Sequence, residues 1–280
     1  MMNADFFYTS IPGRALLKLI QKSGAFRLSS WFLHTGLSRC LIPGFIRNNN
    51  IDMTPYEGQK FRSYADFFAR SWDRPLPETA PEELISPCDS LMTWYPVEPD
   101  LNIPMKGSAY RLSNLIQDPD EAKRFSGGLC LVFRLEASDY HHFCCFDDAV
   151  PGETHFIPGE LHSVQPIALQ SVPVFRLNRR WYTLLRTLHF GTAAQIEVGA
   201  MIVGGVSFAD PAGGILKKGA EMGNFELAGS TIILLLEPAV HSRFEFYEPF
   251  RNAMNGAQEA RIRMGEAVGR LINREQVSRE

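Results

Sequence analysis

Residues 217–235 read KKGAEMGNFELAGSTIILL. A polar, glycine-punctuated stretch runs into a hydroxyl pair, Ser230-Thr231, and then into Ile232-Ile233-Leu234-Leu235-Leu236 with no polar residue before Glu237-Pro238. A short unbroken apolar run bounded by turn residues is the pattern of a strand buried in a core. Similar runs stand upstream: LCLVFRL at 129–135, QPIAL at 165–169, PVFRL at 173–177 and AAQIEVGAMIVGGVSF at 193–208. Turn clusters separate them, VPGE at 150–153, IPGE at 157–160 and DPAGG at 210–214. Their spacing predicts a mainly antiparallel β core over about 86–247.

Outside this core the texture is helical. In residues 12–23, Arg14, Lys18 and Lys22 recur every four positions while Leu16, Leu19 and Ile20 fill another face, with Pro12 suited to a first turn and Gly24 to an end. A second amphipathic stretch carries Leu28, Trp31, Phe32, Leu37 and Leu41 and stops at Pro43-Gly44. RSYADFFARSW at 62–72 predicts a further helix, and PLPETAPEELISP at 75–87 a loop or linker. The tail from about 252 to 275, with Met264, Val268, Leu271 and Ile272 at helical spacing, predicts a C-terminal helix. The expected class is therefore α+β: amphipathic N-terminal helices, a mainly antiparallel β core and a C-terminal helix. The expected division is 1–72, helical and membrane-facing, and 73–280, β-rich and catalytic.

The 280 residues are 45% hydrophobic and 21% charged, which suits a folded globular chain and excludes collagen-like, disordered and coiled-coil classes. A net charge of -3 supplies no global field for a nucleic-acid backbone. Residues 1–50 nevertheless hold six Lys and Arg against Asp5 alone, a local balance of +5. Basic amphipathic helices with a Trp fit either a membrane surface or packing on the domain with a solvated basic face. Five cysteines without framework spacing point to a reducing compartment. No run of 18 uncharged apolar residues predicts a membrane span, and the opening MMNADFFYTSIPGR lacks the order of a signal peptide.

Candidate chemistry is narrow. There is no GxGxxG and no GxxxxGK[ST] motif, and Gly205-Val206-Ser207-Phe208-Ala209 lacks the last glycine of a nucleophile elbow. His141-His142-Phe143-Cys144-Cys145 offers metal-ligand atoms, but strand alternation splits them between two faces and no second ligand pair accompanies them, so no metal is expected. Three segments remain: Ser86-Pro87-Cys88-Asp89, Asp139-Tyr140-His141-His142, and the Gly-Ser pair Gly229-Ser230 at the mouth of the buried strand. Each alone reads as an ordinary turn or strand end. Together they offer an acid, a base and a nucleophile.

From about residue 8 to 270 the chain resembles the phosphatidylserine decarboxylases, on SPCD at 86–89, DYH at 139–141, FIPGELHSVQPIAL at 156–169, VGAMIVGG at 198–205 and the 217–235 segment. YTSIPGRALLKL at 8–19 and NNNIDM at 48–53 are similar to the bacterial branch. The resemblance implies a proenzyme that makes its own cofactor. Ser230 attacks the Gly229 carbonyl, and the glycine's lack of Cβ eases that approach. Elimination frees a β chain, 1–229, and leaves an α chain, 230–280, capped by a pyruvoyl group. That group forms a Schiff base with the substrate amine and takes up the electrons left by carbon dioxide. Asp89 is implied to support the processing base, and His141 to act near the proton return that ends decarboxylation.

The chain departs from the family pattern DYHRxH: His142 stands where Arg is usual, and Cys144 where the second His, the processing base, is usual. A thiol of ordinary pKa about 8.5 acts as a base only if its thiolate is favoured. The base is therefore left open among Cys144, His142, His141, His162, His189 and Asp89 acting through water. The implied partners are phosphatidylserine in an anionic membrane and the chain's own two fragments, with a homodimer left open. The implied location is the cytoplasmic face of the cell membrane. Two other readings stay in view: a decarboxylase of another serine-headed lipid or of an amino acid, and an uncut lipid-binding homologue.

Overall fold

The computed structural model describes residues 4–100, 102–105, 108–201, 205–209, 214–227, 230–254 and 258–272. A seven-stranded sheet forms its centre. It runs β14 (Ala260–Ile262), β2 (Ser90–Pro96), β5 (Leu129–Leu135), β12 (Ser230–Leu236), β9 (Thr192–Val198), β8 (Arg180–Thr187) and β7 (Ala149–Ile157), with every pairing antiparallel. β12 is the middle strand, with Ser230 opposite Leu135 on β5 and Thr231 opposite Val198 on β9.

The unbroken apolar run of β12 has a direct cause, since both faces of the sheet are covered. Ile232, Leu234 and Leu236 join one buried cluster with Leu131, Phe133 and Phe143. Ile233 and Leu235 point the other way, into a second cluster with Phe7, Leu17 and Phe175. Each such side chain contributes roughly 1.5–3 kcal/mol on burial, so a polar substitution at any of them would break the sheet's centre.

The first face is roofed by two small antiparallel sheets. One pairs β10 (Val206–Phe208), β11 (Glu221–Phe225) and β6 (His142–Cys144); the other pairs β1 (Glu83–Ile85), β15 (Ala267–Leu271) and β13 (Phe244–Phe246). A ribbon of β3 (Asn102–Met105) and β4 (Ser108–Arg111) buries Ile103 and Tyr110 in the second cluster. The second face receives short helices and the N-terminal segment.

That segment holds α1 (Ala4–Thr9), α2 (Ile11–Lys22), α3 (Ala25–His34), α4 (Ile42–Asn49) and α5 (Tyr64–Phe68). Ser10 caps α2 by accepting from the Gly13 amide, and Pro12 sits in its first turn. The segment is anchored: Tyr8 accepts the Ser163 amide at 2.8 Å, and Phe7 and Leu17 are buried. Its outer side is apolar, with Ile11 77%, Leu19 64%, Leu28 66%, Trp31 66% and Leu37 77% exposed. No described helix is long and apolar enough to cross a membrane.

The α+β class holds, but four local expectations need correction. The tail forms no helix over its described residues: it supplies a 3-10 turn, Phe250–Ala253, and then β14 and β15. Its apolar spacing mimics a helix, yet Gly265 sits at φ 86°, and a Cβ on Gly269 would lie 2.3 Å from the Glu245 carbonyl oxygen, a close approach that fits strand pairing. QPIAL and PVFRL fold as short helices, Pro166–Ser171 and Val174–Leu177, each opened by a proline at or just before its first residue. The expected linker at 75–87 contains β1, which pairs with β15. The helix expected over 62–72 is only α5, capped by the Ser63 hydroxyl. Parts of the VGAMIVGG and DPAGG segments lie outside the described residues, as do Ala228 and Gly229.

Candidate active site

The site forms where β5, β11 and β12 end together. Beyond Leu135 the chain makes a tight turn in which Asp139 accepts the Glu136 amide at 2.7 Å, and Arg261 holds Asp139 at 2.8 Å. Burial pushes the Asp139 carboxyl up, against the pull of the Glu136 amide and Arg261. The chain then enters Tyr140 and His141 and becomes β6. The Phe225 amide donates to the His141 carbonyl at 2.9 Å. Only residues 226–229 separate that contact from Ser230, which is 1% exposed. Leu227 and Phe68 share one buried cluster, and the Phe68 ring lies 4.1 Å from the His141 ring. His141 and Ser230 thus flank one four-residue connection.

The ring of His141 is fully buried, and its Nδ1 lies 2.9 Å from the Asp139 carbonyl oxygen. A carbonyl only accepts, so Nδ1 carries the proton and Nε2 keeps a lone pair. Nε2 is buried and meets no hydrogen-bond partner among the described residues. Burial above all, then the Arg70 charge, lowers its pKa to about 3. The imidazole is neutral at physiological pH, with a free lone pair on Nε2.

The other candidates for the base are committed elsewhere. His142 bonds Glu221 through Nδ1 at 2.9 Å and the Ala69 carbonyl through Nε2 at 3.1 Å, and its ring stacks on Tyr140 at 4.7 Å. Cys144 is fully buried, with its Sγ 3.8 Å from the Ser86 carbonyl, and burial drives its thiol pKa far up. A thiol so placed yields almost no thiolate. His162 pairs with Glu160 at 2.6 Å and His189 with Asp147 at 2.8 Å. Asp89 accepts from Arg74 and from the Met264 amide, both at 2.8 Å on Oδ1. Main chain rather than Asp89 therefore orients the His141 ring.

Sequence reading missed two arginines. Arg70 is 3% exposed, stacks over Tyr56 and Phe67, and donates from Nη2 to the carbonyls of Ser138 and Asp139. Its Nε and Nη1 reach no acceptor at hydrogen-bonding geometry among the described residues, and burial lowers its pKa. Arg70, Arg74, Asp89, Tyr140 and Arg263 line a cleft of about 420 Å³. A smaller cavity of about 160 Å³, bordered by Arg74, Tyr140, His142 and Cys144, adjoins it. Both arginines stand in FFARSWDRP, where four-residue spacing is the one available sign and says nothing of a cleft.

Comparison with known proteins decides the family. The phosphatidylserine decarboxylase family model matches residues 64–270. The chain belongs to the phosphatidylserine decarboxylase family. Among curated relatives it is 36% identical over 267 residues to phosphatidylserine decarboxylase proenzyme 2 of Clostridium acetobutylicum, covering 94% of this chain and 90% of that one. It is 35% identical over 274 residues to the phosphatidylserine decarboxylase proenzyme of Ruminiclostridium cellulolyticum, covering 95% and 90%. It is 36% identical over 270 residues to that of Clostridium kluyveri, covering 94% and 90%. Within this decarboxylase family the matched residues take in Arg70, Arg74, Asp89, His141 and Ser230, while Tyr56 against Arg70 precedes them.

Proposed function

We propose that this enzyme decarboxylates phosphatidylserine to phosphatidylethanolamine and carbon dioxide after cutting its own chain between Gly229 and Ser230. The observation that carries this reading is the buried His141 Nε2, unprotonated and without a hydrogen-bond partner among the described residues, across a four-residue connection from a buried serine. Ser230 is the nucleophile and His141 Nε2 takes its proton, a role the buried thiol of Cys144 and the doubly engaged ring of His142 are poorly placed to fill.

A pyruvoyl group at position 230 fits these surroundings, which hold a neutral imidazole and the buried hydroxyl of Thr231. Once formed, it supplies an electron sink for the bond to the departing carboxylate. The net reaction consumes one proton from solvent, and His141 Nε2 takes it up and passes it to the substrate carbon. The Arg-lined cleft receives the anionic head group: Arg263 at the exposed rim and Arg70 within offer charge to a phosphate or carboxylate. Asp89 fixes Arg74 on the cleft wall.

The exposed apolar side of α2 and α3, beside Arg14, Lys18, Lys22 and Arg27, docks the enzyme on an anionic membrane at its cytoplasmic face. Intact mass under denaturing conditions, after incubation with phosphatidylserine vesicles, tests the whole reading. Two chains, 1–229 and a pyruvoyl-capped 230–280, together with carbon dioxide release, are expected. A single chain after that incubation overturns it.

A further inference from the structure

Across β12 from β5, β9 carries a carboxyl group that the scheme above leaves idle. Glu197 stands opposite Ile232, and Val198 opposite Thr231. Alternation along a strand puts Glu197 on the face of Ile232, and therefore on the face of Ser230, two residues back. Diagonal neighbours of this kind lie about 7–8 Å apart, within reach of a glutamate side chain. Gln195, next on the same face, donates from Nε2 to Glu197 Oε1 at 2.9 Å and approaches Met222 Sδ on the roof at 3.5 Å. Glu197 is fully buried, and its Oε2 meets no hydrogen-bond partner among the described residues.

The proton can be located. Burial raises the Glu197 pKa to about 8, only partly opposed by the Gln195 bond. Oε1 already accepts from an amide, so the acid proton belongs on Oε2, the oxygen with no partner. An unmet buried donor is destabilising, and apolar residues would fill this space more stably. Burial thus moves two groups near Ser230 in opposite directions: it keeps His141 unprotonated at Nε2 and Glu197 protonated. Such divergence marks paired acid and base roles.

We propose that Glu197 is the general acid of chain cutting. This rests on the cut at Gly229–Ser230 proposed above. As Ser230 Oγ bonds to the Gly229 carbonyl carbon, its proton passes to His141 Nε2. The carbon–nitrogen bond of the peptide breaks, and the Ser230 nitrogen leaves with the proton from Glu197 Oε2. The products are an ester, a neutral amine, an imidazolium and a carboxylate, so atoms and charge balance. Cys144 has no part in the exchange.

The test uses the full chain, with intact mass read over time. Wild type is expected to cut, while Glu197→Gln, nearly the same shape and already neutral like the native group, keeps its melting temperature and cuts at least roughly 100-fold more slowly. Glu197→Asp recovers part of the rate. Should the Gln variant fail to fold, Glu197→Met, which removes the buried polar group, is expected to fold and remain uncut. Hydroxylamine separates the steps: it splits an accumulated ester, so a Gln variant that hydroxylamine cuts at 229 would overturn the assignment to peptide-bond exchange. A Gln variant that cuts within threefold of wild type would overturn Glu197 alone. An uncut wild-type chain would instead overturn the proposed cut.

Discussion

The carbonyl oxygen of His141 accepts the amide of Phe225 at 2.9 Å. The bond extends the β6–β11 pairing to five residues before Ser230, so His141, whose Nε2 is the one buried histidine nitrogen without a hydrogen-bond partner among the described residues, borders the connection into the strand that opens with the serine. Under the proposed cut, His141 is the base available to a chain with Cys144 in place of the usual histidine. It leads to the following expectations.

Ser230→Ala leaves one 280-residue chain and no decarboxylation. The variant keeps its fold, because the change removes one hydroxyl at a strand start. Two fragments in its mass spectrum would end the account of the cut.

His141→Ala remains uncut, whereas Cys144→Ala cuts within about threefold of wild type. Removing a positioned base costs roughly 100-fold or more. A His141→Ala chain that is cut at wild-type speed, or a Cys144→Ala chain that is not cut, would reverse the two roles.

Arg263→Ala cuts its chain normally but raises KM for phosphatidylserine in vesicles several-fold, because its charge stands at the exposed rim of the cleft. Arg70→Gln raises KM and also destabilises the fold, since the side chain bonds two carbonyls from a buried position. An unchanged KM in both variants would move head-group recognition elsewhere.

Glu197 and His141, the buried pair with large shifts, shape the pH dependence of stability near neutrality. Glu197 titrates near 8 when folded against an ordinary 4.5, so its contribution is whole below 4.5 and is lost as pH rises through 8. His141 titrates near 3 against 6.5, so its contribution is whole above 6.5 and is lost as pH falls toward 3. Between 4.5 and 6.5 the two slopes oppose. From 6.5 to 8 Glu197 acts alone, at about 1.4 kcal/mol per pH unit. Urea unfolding of the uncut Ser230→Ala chain should therefore show stability falling by about 2 kcal/mol between pH 6.5 and 8. Adding Glu197→Gln should abolish that fall; an identical fall in both chains would exclude a neutral buried carboxyl.

Trp31→Ala weakens binding to anionic vesicles by roughly tenfold or more, as loss of a large apolar contact of about 2 kcal/mol requires. High salt weakens wild-type binding further by screening Lys18 and Lys22. Vesicle sedimentation that is insensitive to both changes would place the docking surface elsewhere.

Local chemistry made much of this legible. The run from Ile232 to Leu236 determined a strand buried on both faces, because no polar group interrupts it. The basic and apolar faces of 12–23 determined an amphipathic helix, and Gly229-Ser230 with DYH marked the candidate site. Tertiary structure decided the rest. Val268 and Leu271 share helical spacing, yet pairing with Glu83–Ile85 and close contact at Gly269 made their segment a strand. Which histidine keeps an open nitrogen depends on Ala69, Glu221 and Asp139, residues up to 79 positions away along the chain. Glu197 lies 33 residues before Ser230 and comes to its face only through the register of β9 on β12. Sequence fixes which groups can carry charge or protons; burial and register, which are properties of the folded chain, decide which of them keep those abilities where Ser230 stands.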